Sequence, residues 1–290
     1  MSSVATDLSD CLNCGAVLHG AHCAECGQKA TAADPTFHDL LHEISHELFH
    51  VDGRLWQSIT LLFTKPGFLT VEHREGRRAR YAAPMRLYLT FSVLFFIANV
   101  YAPLEMSSKV DPKRGRVLHT GGLDISGDLL EGRTDLEVAE WVHKAEHEWL
   151  PRLMFVMVPV YALLVKAATR RQRRNYPQHL YFALHAHAAW FGVLTLSEVA
   201  RFWRPPALSA WFWYPTVAII VIYTAIAMHR VYGGGWIRSA WRTALTMFGY
   251  VSLLIVFTVA LFLLLLRYSP DSLLRPHGER AAAVGLAPSR

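Results

Sequence analysis

Charged residues are scarce in this chain of 290 residues. Asp, Glu, Lys and Arg make up 18% of the sequence and apolar residues 52%, whereas about a quarter of a soluble domain is charged. The first 80 residues are mostly polar, and long apolar runs begin only after Pro84. This distribution argues against a wholly soluble protein and predicts a polar head joined to a membrane domain.

The sequence also lacks the marks of a secreted protein. No apolar stretch of the signal-peptide type precedes residue 37, so we expect no cleaved leader. All four cysteines lie between Cys11 and Cys26, which is too narrow a segment for a disulfide framework spread over a secreted domain. The net charge of +6 is assigned to membrane topology and anionic lipids rather than to nucleic acid.

Five apolar runs are long enough to cross a bilayer as helices, which takes about 20 residues. They cover residues 85–103, 151–168, 179–203, 210–228 and 244–266. The predicted fold is mostly α: a small N-terminal four-cysteine zinc ribbon and a helical transmembrane bundle of about five spans. The predicted segments are the ribbon at 1–33, amphipathic and juxtamembrane helices at 34–84, the membrane domain at 85–268 with an external loop at 105–150, and a disordered tail at 269–290.

The arginines predict the orientation of these spans. They concentrate before the first span, between the second and third, and between the fourth and fifth. Lys and Arg accumulate on the cytoplasmic side of membrane proteins. We therefore expect a multi-pass protein with a cytoplasmic N-terminus and an external C-terminus, and a cytoplasmic head agrees with reduced cysteines.

The cysteines form two C-x-x-C pairs separated by eight residues. A glycine follows each pair and lets the backbone turn beneath a metal ion. Four sulfurs supply the tetrahedral geometry that zinc takes in structural sites, and such a closed site is not catalytic. The sequence predicts one structural zinc ion, and a protein partner or a clip that holds the head together is expected rather than DNA. The predicted ligands are Cys11, Cys14, Cys23 and Cys26.

A match to H-E-x-x-H occurs at His42, Glu43 and His46, a spacing that on a helix suits a zinc protease. On a helical wheel, however, the four histidines His38, His42, His46 and His50 lie opposite the apolar face. A protease motif would instead face an enclosed cleft. We therefore interpret these histidines as a polar helix face whose role is open.

The third apolar run carries several ionisable residues. Such residues are costly inside a membrane and raise a functional hypothesis by default. His185 and His187 are about 160° apart on a straight helix, so they cannot both bind one ion. The alternatives are neutral histidines hydrogen-bonded to neighbouring helices, or a site for a proton, metal or substrate. The possible intramembrane polar site comprises His179, His185, His187 and Glu198.

Several of these motifs occur together in one known family. The knuckles CLNC and HCAECGQ, the turn TKPG and the stretches EGRRARYAAPMRLYL and QHLYFALHAHA resemble a bacterial family of zinc-ribbon membrane proteins, domain-of-unknown-function family 3667. The resemblance covers about residues 11–200. It implies a zinc ribbon and a helical membrane domain in a bacterial inner membrane. It implies no activity and assigns no catalytic residue.

The function favoured by the sequence is a non-enzymatic interaction or assembly protein. Its ribbon would dock a cytoplasmic protein partner, its helices would contact membrane lipids, and no nucleic acid is expected. The first alternative is a transporter or lipid-handling protein that uses His185, His187 and Glu198. A metalloprotease at the H-E-x-x-H motif ranks third.

Overall fold

The structure, a computed structural model, describes residues 9–30, 53–101, 106–111, 115–120, 123–126, 135–172, 174–201 and 209–268. Helices dominate these residues, so the mostly α fold is confirmed. The histidine face at 38–50, with its H-E-x-x-H motif, and the tail at 269–290 lie outside the described residues. The helices are α1 Gly53–Thr64, α2 Phe68–Arg74, α3 Pro84–Val100, α4 Asp135–Ala168, α5 Tyr176–Arg201, α6 Ser209–Tyr232 and α7 Trp236–Tyr268.

Among the described residues, four helices are long and apolar enough to cross a membrane, one fewer than predicted. The prediction of five was wrong at the first run, because residues 85–103 do not form one long helix. The chain leaves the helical path at Tyr101, and α3 has only 17 residues. At about 1.5 Å per residue, α3 is shorter than the hydrocarbon core of a bilayer. The four candidate spans are Val142–Ala168, Tyr176–Ala200, Trp213–Tyr232 and Trp236–Leu261.

Helices α1 and α2 form a short hairpin that packs against the spans. Helix α1 ends at Thr64, and the Lys-Pro-Gly turn at residues 65–67 follows it. Gly67 has a φ of 77°, and a Cβ atom there would lie 2.9 Å from the carbonyl oxygen of Ala227 in α6. Glycine therefore satisfies both the backbone conformation and the close approach. The Tyr223 hydroxyl of α6 donates to the Leu62 carbonyl oxygen at 2.9 Å.

Helix α5 is the most buried of the four candidate spans. Gly192 lies where α1, α3 and α5 meet, and a Cβ atom there would lie 2.4 Å from the Phe63 ring and 3.2 Å from Phe91. The Phe95 ring of α3 lies 5.2 Å from that of Phe191, between centroids. Aromatic side chains from three helices thus fill the space around one glycine.

A second compact unit, within residues 102–154 and 252–268, contains a small sheet. Strands β1 Met106–Asp111, β2 Gly115–Thr120 and β3 Leu123–Ser126 form an antiparallel sheet in that order. These strands and the first turns of α4 occupy the predicted external loop. The strands are short and contain few apolar residues, and only β3 alternates, with Leu123 and Ile125, so the sequence predicts no sheet here.

Candidate functional site

The four cysteine sulfurs converge on one point. All four lie within 4.8 Å of one another, with Cys11 and Cys26 3.6 Å apart and Cys14 and Cys23 3.5 Å apart. A tetrahedral ion with sulfur ligands at about 2.3 Å would separate the sulfurs by about 3.8 Å. The cluster therefore fits a single tetrahedral metal ion. It is the one group of three or more metal-ligand side chains found in the described part of the chain.

Local backbone geometry produces this convergence. The amide of Gly15 donates to the Cys11 carbonyl at 2.8 Å, and twelve residues later Gly27 donates to Cys23 at 2.9 Å. The two glycines have φ values of 77° and 71°, which side chains other than glycine rarely adopt. Each C-x-x-C-G segment therefore makes the same turn and presents its two thiols in the same way.

Two of the four thiols have shifted pKa values. Burial raises the pKa of Cys26, but hydrogen bonds from the Gln28 backbone and the Asn13 side chain outweigh it and bring the pKa to about 6. A hydrogen bond at Ala16 lowers the pKa of Cys14, yet the neighbouring thiols raise it to about 12. The Cys26 thiolate therefore forms near neutral pH, whereas Cys14 needs a bound cation to hold it in the thiolate form.

One face of the ribbon packs against the chain's own loop between α2 and α3. The side-chain Nε2 of Gln28 donates to the Gly76 carbonyl at 2.7 Å. Its Oε1 accepts from the backbone amides of Arg78 and Ala79, both at 3.0 Å. A Cβ atom at Gly76 would lie 2.6 Å from Leu12, so the first knuckle also touches the loop. Both knuckles thus hold the ribbon in place, a contact that the sequence did not predict.

The loop between α2 and α3, residues 75–83, is called the docking loop here, and it is bonded to the hairpin. Arg77 donates to both carboxylate oxygens of Glu72, at 2.7 and 2.6 Å. These hydrogen bonds hold the pKa of Glu72 below its usual value, so the pair stays charged at neutral pH. At the other end of the loop, the Ala82 amide donates to the Ser58 hydroxyl of α1 at 2.8 Å.

The three histidines of the proposed intramembrane site are buried but do not converge. Each one contacts a hydroxyl group on a different element. Glu198 is half-buried, eleven residues after the last of them along α5. The contacts are His179 Nδ1 with the Tyr232 hydroxyl of α6 at 2.9 Å, His185 Nδ1 with the Thr70 hydroxyl of α2 at 3.0 Å, and His187 Nε2 with the Tyr250 hydroxyl of α7 at 2.8 Å.

His187 is bonded at both ring nitrogens. Its Nδ1 lies 2.8 Å from the Ala183 carbonyl, which can only accept, so Nδ1 carries a proton, and in the neutral ring Nε2 accepts from the Tyr250 hydroxyl. The rings of Trp190 and Tyr161 enclose the imidazole at centroid distances of 4.5 and 5.3 Å. This arrangement favours the interpretation of neutral histidines that join helices over a site for metal or substrate.

A further buried histidine was missed in the sequence. His73 of α2 lies against the Tyr181 ring of α5 at 4.3 Å, close to the His185–Thr70 pair. Burial lowers the pKa of His73 well below its usual value. Its neighbours in sequence are charged, which favoured an exposed position, and only the folding of α2 against α5 buries it.

The comparison with protein families bears on the same segment. Residues 52–96 match the model of a family described as a protein of unknown function (DUF3667). The family indicated by the sequence motifs is thus confirmed for this segment, which comprises α1, α2, the docking loop and most of α3. No curated protein and no solved structure matches the chain. The matched segment therefore contains the loop that the ribbon contacts, and the family description assigns no activity.

Proposed function

We propose that this chain is a non-enzymatic membrane interaction or assembly protein whose zinc ribbon docks a cytoplasmic protein. The observation that carries the proposal is the contact between Gln28 and the loop, which holds the ribbon in one orientation on the helical domain. The rest of the ribbon surface stays exposed, including Val17, whose side chain is 58% accessible. A rigidly presented, solvent-facing ribbon suits the capture of a partner.

Zinc is the proposed ion because the four sulfurs lie close enough together to coordinate one ion tetrahedrally. Within residues 9–30, the buried side chains are Cys11, Asn13 and Cys23, so this segment has no apolar core of its own. Metal binding then supplies the free energy that orders the ribbon and, with it, the partner-facing surface.

The proposed location is a bacterial inner membrane with the arginine-rich helix ends in the cytoplasm. A cytoplasmic hairpin is supported by the hydrogen bond that Arg74 of α2 donates to the Val231 carbonyl near the end of α6, at 2.9 Å. The contact of Gln28 with the loop that follows the hairpin supports the same side for the ribbon. The start of α7 near the same arginines supports the proposal of an external C-terminus.

Site-specific photo-crosslinking in cells tests the docking function. A photoreactive residue at Val17 should give a discrete adduct with another protein, whereas the same residue at Leu12 should react only within the chain. A Cys23→Ser substitution should abolish the Val17 adduct while the protein stays in the membrane. An adduct that survives this substitution, or its absence from the wild-type background, would contradict the proposal.

A further inference from the structure

Three arginines from three separate segments meet at the C-terminal end of α6. All three side chains are half-buried, and they come from α2, from the residues before α5, and from α7. Each contacts a residue between 231 and 233. Arg74 Nη1 donates to the Val231 carbonyl at 2.9 Å, Arg242 Nη1 donates to the Gly233 carbonyl at 3.3 Å, and the guanidinium carbon of Arg174 lies 4.9 Å from the centre of the Tyr232 ring.

The charges of this arginine cluster are poorly balanced. Among the described residues, neither Arg174 nor Arg242 forms an ion pair with a carboxylate. Arg74 has Glu75 at 3.7 Å, but Glu75 also pairs with Arg77. Partial burial and the nearby charges of Arg74 and Arg242 lower the pKa of Arg174. Gathering these cations raises the free energy of the fold unless an anion lies among them.

Capping of α6 explains only part of the arrangement. Two of the arginines donate to backbone carbonyls at its C-terminal end, where cations are favourable. Arg174 instead contacts a ring face, and each guanidinium carries five N–H donors of which these contacts occupy few. The remaining donors have the fork geometry that matches the oxygens of a phosphate group.

The cluster lies at the level expected for lipid headgroups. Arg174 comes two residues before the candidate span Tyr176–Ala200, and the span that contains Tyr232 ends at that residue. Trp236 and Trp241, at the start of α7, are 59% and 70% exposed, as aromatic residues at a membrane interface are. Basic pockets between helices on the cytoplasmic side suit anionic headgroups.

We propose that Arg74, Arg174 and Arg242 form a binding site for a phosphate oxyanion, the chemistry shared by an anionic lipid headgroup and free phosphate. The position at the ends of the spans favours the lipid as its source. The site shares no residue with the ribbon, so the phosphate-binding proposal and the docking proposal can fail separately.

Lipid binding to the full-length chain in detergent tests this site. Native mass spectrometry would count retained phosphatidylglycerol, with phosphatidylcholine as the zwitterionic comparison and inorganic phosphate as a competitor. Arg174→Gln should weaken phosphatidylglycerol binding about tenfold, since it removes charged hydrogen bonds. Arg170→Gln makes the same change in charge at an exposed position and should alter binding by less than about twofold.

Two further measurements separate the outcomes. Arg174→Lys keeps the charge but loses the planar donor geometry of the guanidinium. A loss of phosphatidylglycerol binding between that of the wild type and Arg174→Gln, with unchanged thermal unfolding, supports the site. Competition by inorganic phosphate supports the shared chemistry, and binding of inorganic phosphate without lipid retention assigns the site to free phosphate. Equal weakening by Arg170→Gln and Arg174→Gln, or equal retention of both lipids together with no binding of phosphate, would overturn the proposal.

Discussion

The cysteines of the ribbon and the histidines of α5 are both closely spaced sets of potential metal ligands, yet they fold into opposite arrangements. The cysteines lie on two copies of one turn, and their sulfurs come within 4.8 Å of one another. The histidines lie on one helix, whose rotation of about 100° per residue directs them toward different neighbours. Short spacing therefore creates a shared site only when the backbone turns back on itself, and otherwise it joins one helix to several others.

The strongest test of this contrast is the metal content of the purified chain. Wild-type protein should hold one equivalent of zinc, and Cys11→Ser with Cys23→Ser should hold none, because two ligands are too few for a structural site. His187→Gln is the matched control and should retain the full equivalent. Elemental analysis of the three proteins decides the point. Zinc lost from the histidine variant would place the ion in the membrane helices, and zinc kept by the cysteine variant would place it outside the four-cysteine cluster.

The next largest effect is expected at His187. His187→Ala removes a buried ring and two hydrogen bonds, and should lower the free energy of unfolding by about 2–4 kcal/mol. Tyr250→Phe removes only the partner hydroxyl and should lower it by about 1 kcal/mol. Denaturant unfolding in micelles measures both. A His187→Ala protein as stable as the wild type would show that this imidazole is kept for a function rather than for helix packing.

The ribbon contact gives a smaller and more local effect. Gln28→Ala removes three hydrogen bonds to the loop and should speed hydrogen exchange of the Arg78 and Ala79 amides by about tenfold or more. The zinc content should not change, because the ligands stay in place. Lys29→Ala, at the exposed neighbouring position, is the control and should leave both amides as slow as in the wild type. Unchanged exchange in Gln28→Ala would mean that the ribbon is held by other contacts.

The smallest effect concerns the partner of His185. Thr70→Val keeps the shape of the side chain and removes the hydroxyl that contacts Nδ1, so we expect a loss of about 0.5–1.5 kcal/mol in unfolding free energy. Thr60→Val removes an exposed hydroxyl that donates only to the Trp56 carbonyl and should change stability by less than about 0.5 kcal/mol. Equal effects of the two substitutions would show that the buried contact adds nothing to the fold.

The features predicted from the sequence are those that local chemistry determines. Each C-x-x-C-G segment sets its own turn, and the proline and glycine at 66–67 end α1 at Thr64. The partners of Gln28 and His185 could not be predicted, because they come from residues 48 and 115 positions away along the chain. The predicted length of the first span was too great, because apolar residues continue past Val100, where helix α3 ends.

The amide of Gln28 acts as a substitute peptide unit. Its side-chain oxygen accepts and its side-chain nitrogen donates, and all three partners in the loop are main-chain groups. These hydrogen bonds therefore do not depend on the identity of the side chains at positions 78 and 79. A carboxylate at position 28 would lack the donor for Gly76 and would place a charge beside that carbonyl oxygen. Slow deamidation of this single glutamine would therefore weaken the attachment of the ribbon to the loop over time, even with its metal still bound.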